Sequence, residues 1–279
     1  MKRIFFSLSL SFAILFLSVG GAAHAAALDS FSGLKGKLDI AGGTAHIPVM
    51  KEAAKHIMQS NPEIRITVAG GGSGVGVQKV GEGLAQIGNA GRALKEGEIQ
   101  KYGLVSWPFA IDGVAVAVNP SNAIRALSKE QLKKIFAGEI ANWKDVGGGD
   151  AAISLYIRED GSGTRETFEE RALDKGQAAP GSNVVSSNGA MKTAITQDKN
   201  AIGYVSIGHL DGTIQSIALD GMIPSQENAK NGSYKVTRLL YMNTKGQPEG
   251  IVKAFIDYIY SEDGNGIISR AGYIPTGKK

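Results

Sequence analysis

Ile64-Arg-Ile-Thr-Val-Ala-Gly-Gly-Gly-Ser-Gly-Val-Gly-Val-Gln-Lys-Val80 is the stretch that decides the fold. Ile64, Ile66 and Val68 recur with the two-residue period of a strand, Gly70 to Gly74 form a loop around Ser73, and Val75 to Leu84 suit a helix. The same order of strand, glycine loop and helix precedes it. Leu38 to Ala41 reads as a strand and Gly42-Gly43-Thr44 as a loop, and Pro48 suits the first turn of a helix buried through Val49, Ala53 and Ile57. Asn61-Pro62 ends that helix. A third copy runs from a strand at Ile153 to Ile157, through the loop Arg158-Glu-Asp-Gly-Ser-Gly-Thr164, into a helix from Glu166 to Leu173. Strands alternating with helices predict an α/β chain with largely parallel sheets.

Working outward, Gly113-Val-Ala-Val-Ala-Val118 is apolar and rich in β-branched residues, which predicts a buried strand able to carry the chain from one lobe to another. Ser128-x-x-Gln131 is a capping box for a helix with Leu132, Ile135 and Phe136 inward and Gly138 as its stop. Asn188-Gly189 opens a further helix, and Ala201 to Val205 is another buried strand. Residues 221 to 234 are polar, Val236 to Met242 resume a strand, and Val252, Phe255, Ile256 and Ile259 mark a final amphipathic helix.

The first residues follow the pattern of a secretory signal. Met1-Lys2-Arg3 is basic, Ile4 to about Val19 is apolar, and Ala23-His24-Ala25 offers a small-x-small cleavage site. Removing residues 1–25 takes away Lys2 and Arg3 and no acid, leaving 28 basic against 26 acidic residues. That near-neutral balance, with no basic cluster interleaved with aromatics, argues against a nucleic-acid partner. The absence of cysteine excludes disulfides, thiolate metal sites, a cysteine nucleophile and a lipid-anchored N-terminus. The 38 glycines fall in short clusters, as expected where backbone must approach something closely.

Catalytic signatures are missing. Neither Ser73 nor Ser162 stands in G-x-S-x-G, the four histidines are scattered, and Gly272-x-x-x-x-Gly277-Lys278 lacks the hydroxyl residue of a phosphate-binding P-loop. Anion chemistry remains. A tetrahedral oxyanion needs donors from several directions, and strand-to-helix loops supply backbone N–H groups, hydroxyls and the positive end of a helix. In the third loop Arg158 adds a planar fork of donors, Gly161 and Gly163 allow close approach, and Ser162 and Thr164 add hydroxyls; Thr44 and Ser73 hold equivalent places in the other two. One such loop alone is equally a turn whose hydroxyl caps its own helix. Three of one kind make the stronger pattern.

The chain resembles the phosphate-binding proteins of bacterial phosphate ABC transporters, of the shorter type, in the type II periplasmic binding protein fold. The likeness runs in order through Gly43-Thr44, Gly70 to Gly76, Asp112 to Ser121, Leu127 to Leu132 with Ile135 to Gly138 and Asn142-Trp143, Arg158 to Thr164, and Ala201 to Val205. It implies two lobes of mixed, largely parallel sheets joined by a two-stranded hinge, with residues 1–25 a signal peptide, 26–113 and 235–279 one lobe and 114–234 the other. It implies a periplasmic, cofactor-free monomer, not an enzyme, that encloses inorganic phosphate in the interlobe cleft and delivers it to a membrane permease. Thr44 and Ser73 would donate from the first lobe, and Arg158, Ser162, Gly163 and Thr164 from the second.

One stretch departs from the family. Where it commonly shows Asp-Ile-Gly followed by Ser-Ser-Arg or Ser-Asp, this chain has Gln86-Ile-Gly-Asn-Ala-Gly-Arg92, without the two hydroxyls. Arg92 remains as a source of charge. A carboxylate that accepts the proton of phosphate would exclude sulfate, which has none; with no acid in Asn89 to Arg92, Asp112 is the candidate acceptor. Receptors for molybdate or sulfate share the fold, and a secreted phosphate-acting hydrolase is the alternative from another class.

Overall fold

The computed structural model describes residues 27–277; residues 1–26, which include the signal segment, and Lys278 and Lys279 lie outside the described residues. Twelve strands are present among them: β1 (Gly36–Gly42), β2 (Ile64–Gly71), β3 (Ile87–Ala90), β4 (Leu104–Val118), β5 (Ala126–Leu127), β6 (Ser154–Arg158), β7 (Asn183–Val185), β8 (Ala201–Ser206), β9 (Gln215–Ser216), β10 (Ala218–Leu219), β11 (Thr237–Lys245) and β12 (Ile274–Pro275). Ten form one sheet along the path β2-β1-β3-β11-β4-β8-β6-β7, with β9 and β12 also on β4. The strand-loop-helix units pair in parallel, β1 with β2 and β3 on one side, β6 with β7 and β8 on the other. At the centre the pairing is antiparallel, β11 with β3 and β4, and β4 with β8. The architecture is a mixed α/β sheet, parallel at its two ends and antiparallel at its centre, in keeping with the α/β expectation.

β4 is the principal difference from the sequence reading. It spans 15 residues, of which only Gly113 to Val118 were legible. Leu104 to Gly113 pair with β11, and Val114 to Val118 with β8, so one strand serves both sides of the molecule. Its first half is disguised by Trp107-Pro108: the register slips there, with Tyr241 opposite Pro108 and Leu240 opposite Ala110. A proline has no N–H for the ladder, and a bulge accommodates it.

Two large cores flank this centre. One gathers Val49, Ala53 and Ile57 from the helix Ile47–Ser60, with Phe109, Leu240, Phe255 and Ile259. The other gathers Val114, Val116, Leu132, Ile135, Phe136, Phe168, Tyr204 and Val236. The chain changes core along β4 between Ala110 and Val116, and again between Val236 and Leu240. The capping box forms as read: Ser128 Oγ accepts from the Gln131 N–H at 3.1 Å, and the Ser128 N–H donates to Gln131 Oε1 at 2.9 Å. The polar stretch before β11 holds a short helix, Gln226–Lys230, and a second C-terminal helix, Glu262–Arg270, follows Gly250–Tyr260. No helix among the described residues is long and apolar enough to cross a membrane.

Candidate anion-binding site

Two glycine loops end in helices that start sooner than their composition suggests. The helix after β2 begins at Gly72 rather than Val75, and the one after β6 spans Gly163–Arg171. Ser73, Gly163 and Thr164 therefore lie in first turns, where backbone N–H groups have no intrahelical acceptor. Ser162 is the N-cap of its helix, its hydroxyl accepting from the Arg165 N–H at 3.3 Å. Thr44 opens a short 3-10 turn that runs into the helix Ile47–Ser60. Three helix starts thus face one small cavity, with about 10 Å3 of room for the centre of a water-sized sphere, bounded by Thr44, Ala45, His46, Ser73, Gly91, Arg158, Ser162, Gly163, Thr164 and Arg238 among others. That is room for a small ion rather than an organic molecule of drug size.

Loops that follow strands on both sides of the sheet meet here. Gly74 N–H donates to Gly161 O at 3.0 Å across the gap, and Gly161 holds φ +78°, a left-handed value that favours glycine. A Cβ on Gly163 would lie 2.3 Å from Ser73 Oγ and 3.2 Å from the Gly91 carbonyl carbon, so only glycine allows this approach. Asn188, at the start of the helix Asn188–Gln197, ties Thr44 down by donating to its hydroxyl from Nδ2 at 3.0 Å and from its backbone at 3.3 Å.

Arg158 is 1% exposed. Its Nε and Nη2 donate to Glu159 at 3.0 and 2.6 Å and to the carbonyls of Val185 and Ser186 at 3.1 Å, while Nη1 reaches Thr44 Oγ1 at 3.4 Å. Its own N–H donates to the Tyr204 hydroxyl at 3.0 Å, and the Tyr204 ring stacks on Phe168 at 4.0 Å. The loop thus stands on a packed aromatic floor.

Arg238 escaped the sequence reading. It comes from β11, directly opposite Asp112 on β4. Its signal is an arginine at the buried parity of a strand, in step with Leu240 and Met242. Its Nε donates to Asp112 Oδ2 at 2.8 Å, its Nη2 pairs with the same oxygen at 2.8 Å and donates to Thr164 Oγ1 at 3.0 Å.

Two of the expected site residues lie elsewhere. Arg92 is outside this cavity, in an adjoining groove, where its guanidinium is divided between Glu98 at 2.8 Å and Glu166 at 2.9 Å. Asp112 is fully buried behind Arg238 and does not border the cavity; its other oxygen accepts from Ser206 Oγ at 2.8 Å. Burial pushes its carboxyl up, and Arg238 and Ser206 pull it back. Thr44, Ser73, Arg158, Ser162, Gly163 and Thr164 all border the cavity. His46 is also at its wall and stays neutral: burial, with the Arg238 charge nearby, depresses its imidazole to about 3.

A two-core α/β chain with helix starts and a buried arginine around an ion-sized cavity has the build of a solute-binding protein, and the model of the PBP superfamily domain matches residues 21–263, so the chain belongs to that superfamily. Within it, the chain belongs to the PstS phosphate-binding protein family. It is 41% identical over 243 residues to the phosphate-binding protein PstS of Bacillus subtilis, covering 86% of this chain and 81% of that protein. The PstS of Pseudomonas aeruginosa is 29% identical over 292 residues, covering 92% and 90%. Among solved structures, a Clostridium perfringens substrate-binding protein with bound phosphate superimposes with a TM-score of 0.81 at 34% identity, covering 86% of this chain and 100% of that one. An ABC-type phosphate transport receptor from Vibrio cholerae gives 0.68 at 33% identity, over 85% and 99%.

Proposed function

We propose that the chain is an exported receptor that captures inorganic phosphate between two lobes and hands it to the permease of an ABC importer, without chemical change. The lobes are residues 26–113 with 235–279, and residues 114–234, hinged where β4 and the start of β11 cross. The observation that carries the reading is the cavity wall itself: Arg158 Nη1 and four hydroxyl residues, drawn from both lobes, around space for one small ion. Each hydroxyl already accepts from the protein. Ser73 Oγ takes the Gly91 N–H at 2.9 Å, Ser162 Oγ that of Arg165, Thr44 Oγ1 those of Asn188, and Thr164 Oγ1 that of Arg238. Their protons are left to donate inward, as a tetrahedral oxyanion requires.

Export from the cytoplasm rests on the N-terminal pattern, and function as a monomer on the kind of receptor this is. The test is equilibrium dialysis of the mature chain, residues 26–279, against labelled phosphate, with sulfate and molybdate as competitors and the released anion analysed. The proposal expects one phosphate per chain, released unchanged, and displaced less readily by the other anions than by phosphate. Stronger displacement by molybdate or sulfate would reassign the ligand, and conversion of a phosphate ester would indicate a hydrolase.

A further inference from the structure

Arg158 and Arg238 are built alike. Each lies at the cavity wall with its Nε and Nη2 committed to a carboxylate on the far side, Glu159 for one and Asp112 for the other. For Arg158 the remaining nitrogen, Nη1, points at Thr44 in the cavity. For Arg238 the remaining Nη1 makes no hydrogen bond among the described residues, and it lies 2.7 Å from where a Cβ on Gly91 would be. Any side chain at position 91 would collide with that nitrogen or displace it. The glycine in Asn89-Ala-Gly-Arg92, which leaves the stretch without a hydroxyl, is what makes room for a second guanidinium.

Resting on the phosphate-receptor reading, we propose that Arg238 is a second cationic ligand of the bound anion, and that Asp112 is a positioning residue that aims it rather than the acceptor of the anion's proton. Asp112 has no free face toward the anion. Oδ2 is held by Arg238, Oδ1 accepts from Ser206, and the Ser206 hydroxyl is joined in turn to Tyr273 at 2.9 Å. No carboxylate among the described residues borders the cavity. Two guanidinium groups and inward-facing hydroxyls form a wall of donors and positive charge, which favours the phosphate dianion over the monoanion.

The test is a double-mutant cycle on phosphate affinity, measured by calorimetry on folded protein whose integrity is checked by thermal unfolding. Arg238→Gln removes a desolvated charge at the anion and should weaken phosphate about 100-fold. Asp112→Asn should weaken it less, and the double variant, which also avoids leaving a buried carboxylate unpaired, should bind no worse than Arg238→Gln alone. The pH profile gives a second readout. Wild-type affinity should fall about tenfold for each pH unit below the second ionisation of phosphate, and Asp112→Asn should keep that slope. Independent, additive losses at 112 and 238, or a slope that changes only with Asp112→Asn, would overturn the positioning role. Undiminished binding by Arg238→Gln and by the double variant would overturn the ligand role. Wild-type protein that fails to bind phosphate at all would instead refute the receptor reading on which this rests.

Discussion

Gly163→Ala separates closure of the proposed cleft from stability of the proposed lobes. Position 163 begins a helix at a backbone conformation open to any residue, so alanine there should keep or slightly raise stability, by up to about 1 kcal/mol. In this structure its Cβ would come within 2.3 Å of Ser73 Oγ, so about 1 Å of separation is needed to restore ordinary contact. Overpacking of this kind costs about 1–3 kcal/mol. Rotating the serine away would forfeit its hydrogen bond from the Gly91 N–H, about 1 kcal/mol more, and leave the Gly91 backbone still in the way. Together these correspond to a loss of about 30- to 700-fold in phosphate affinity. Calorimetric titration paired with thermal unfolding of the ligand-free protein reads both quantities. Wild-type affinity in Gly163→Ala would refute the closure geometry, and a lowered unfolding temperature with lost binding would show damage to the lobe instead.

Arg158→Lys keeps the charge but cannot span Glu159, two carbonyls and the cavity at once, and calorimetry should show phosphate affinity reduced by about 100-fold. Arg92 and Glu166 form an ion pair that, in the proposed division, joins the two lobes across the cleft, so Arg92→Ala should speed phosphate release by about two- to fivefold, with the difference shrinking at high salt in stopped-flow measurements. His46, held at about 3 by burial, and His209, held at about 4 by burial despite its hydrogen bond with the Thr44 carbonyl, which raises it, both stay neutral in the fold while the unfolded chain takes up protons. Their contribution is fully present above about pH 6.5 and is lost as pH falls, to about 4 for His209 and on to about 3 for His46. Denaturant unfolding followed over that range should show a fall of a few kcal/mol, shallower in His46→Gln.

The parts of the site legible in the sequence are those encoded locally. Arg158 to Thr164 carries its chemistry within seven residues, and Thr44 and Ser73 occupy the same place in neighbouring strand-loop-helix units. The buried parity of Arg238 in its strand is a local signal, but its partner is not: 126 residues separate it from Asp112, and only the antiparallel register of β11 on β4 brings them together. Asn188 likewise reaches Thr44 across 144 residues. The family pattern offers Arg92 as a source of charge, but Glu98, six residues on, and Glu166 from the helix Gly163–Arg171 hold its guanidinium outside the cavity. Long-range strand pairing also explains β4. Proline 108 hides the first half of a strand that only its partner β11 defines.

Direct calorimetric titration of residues 26–279, unfolded and refolded to strip carried-over ligand, tests the central claim most simply. The account predicts saturable heat with phosphate at one ion per chain, greatly weakened in Arg158→Lys. A stripped, folded protein that releases no heat with phosphate and shows no rise in unfolding temperature at millimolar phosphate would contradict it.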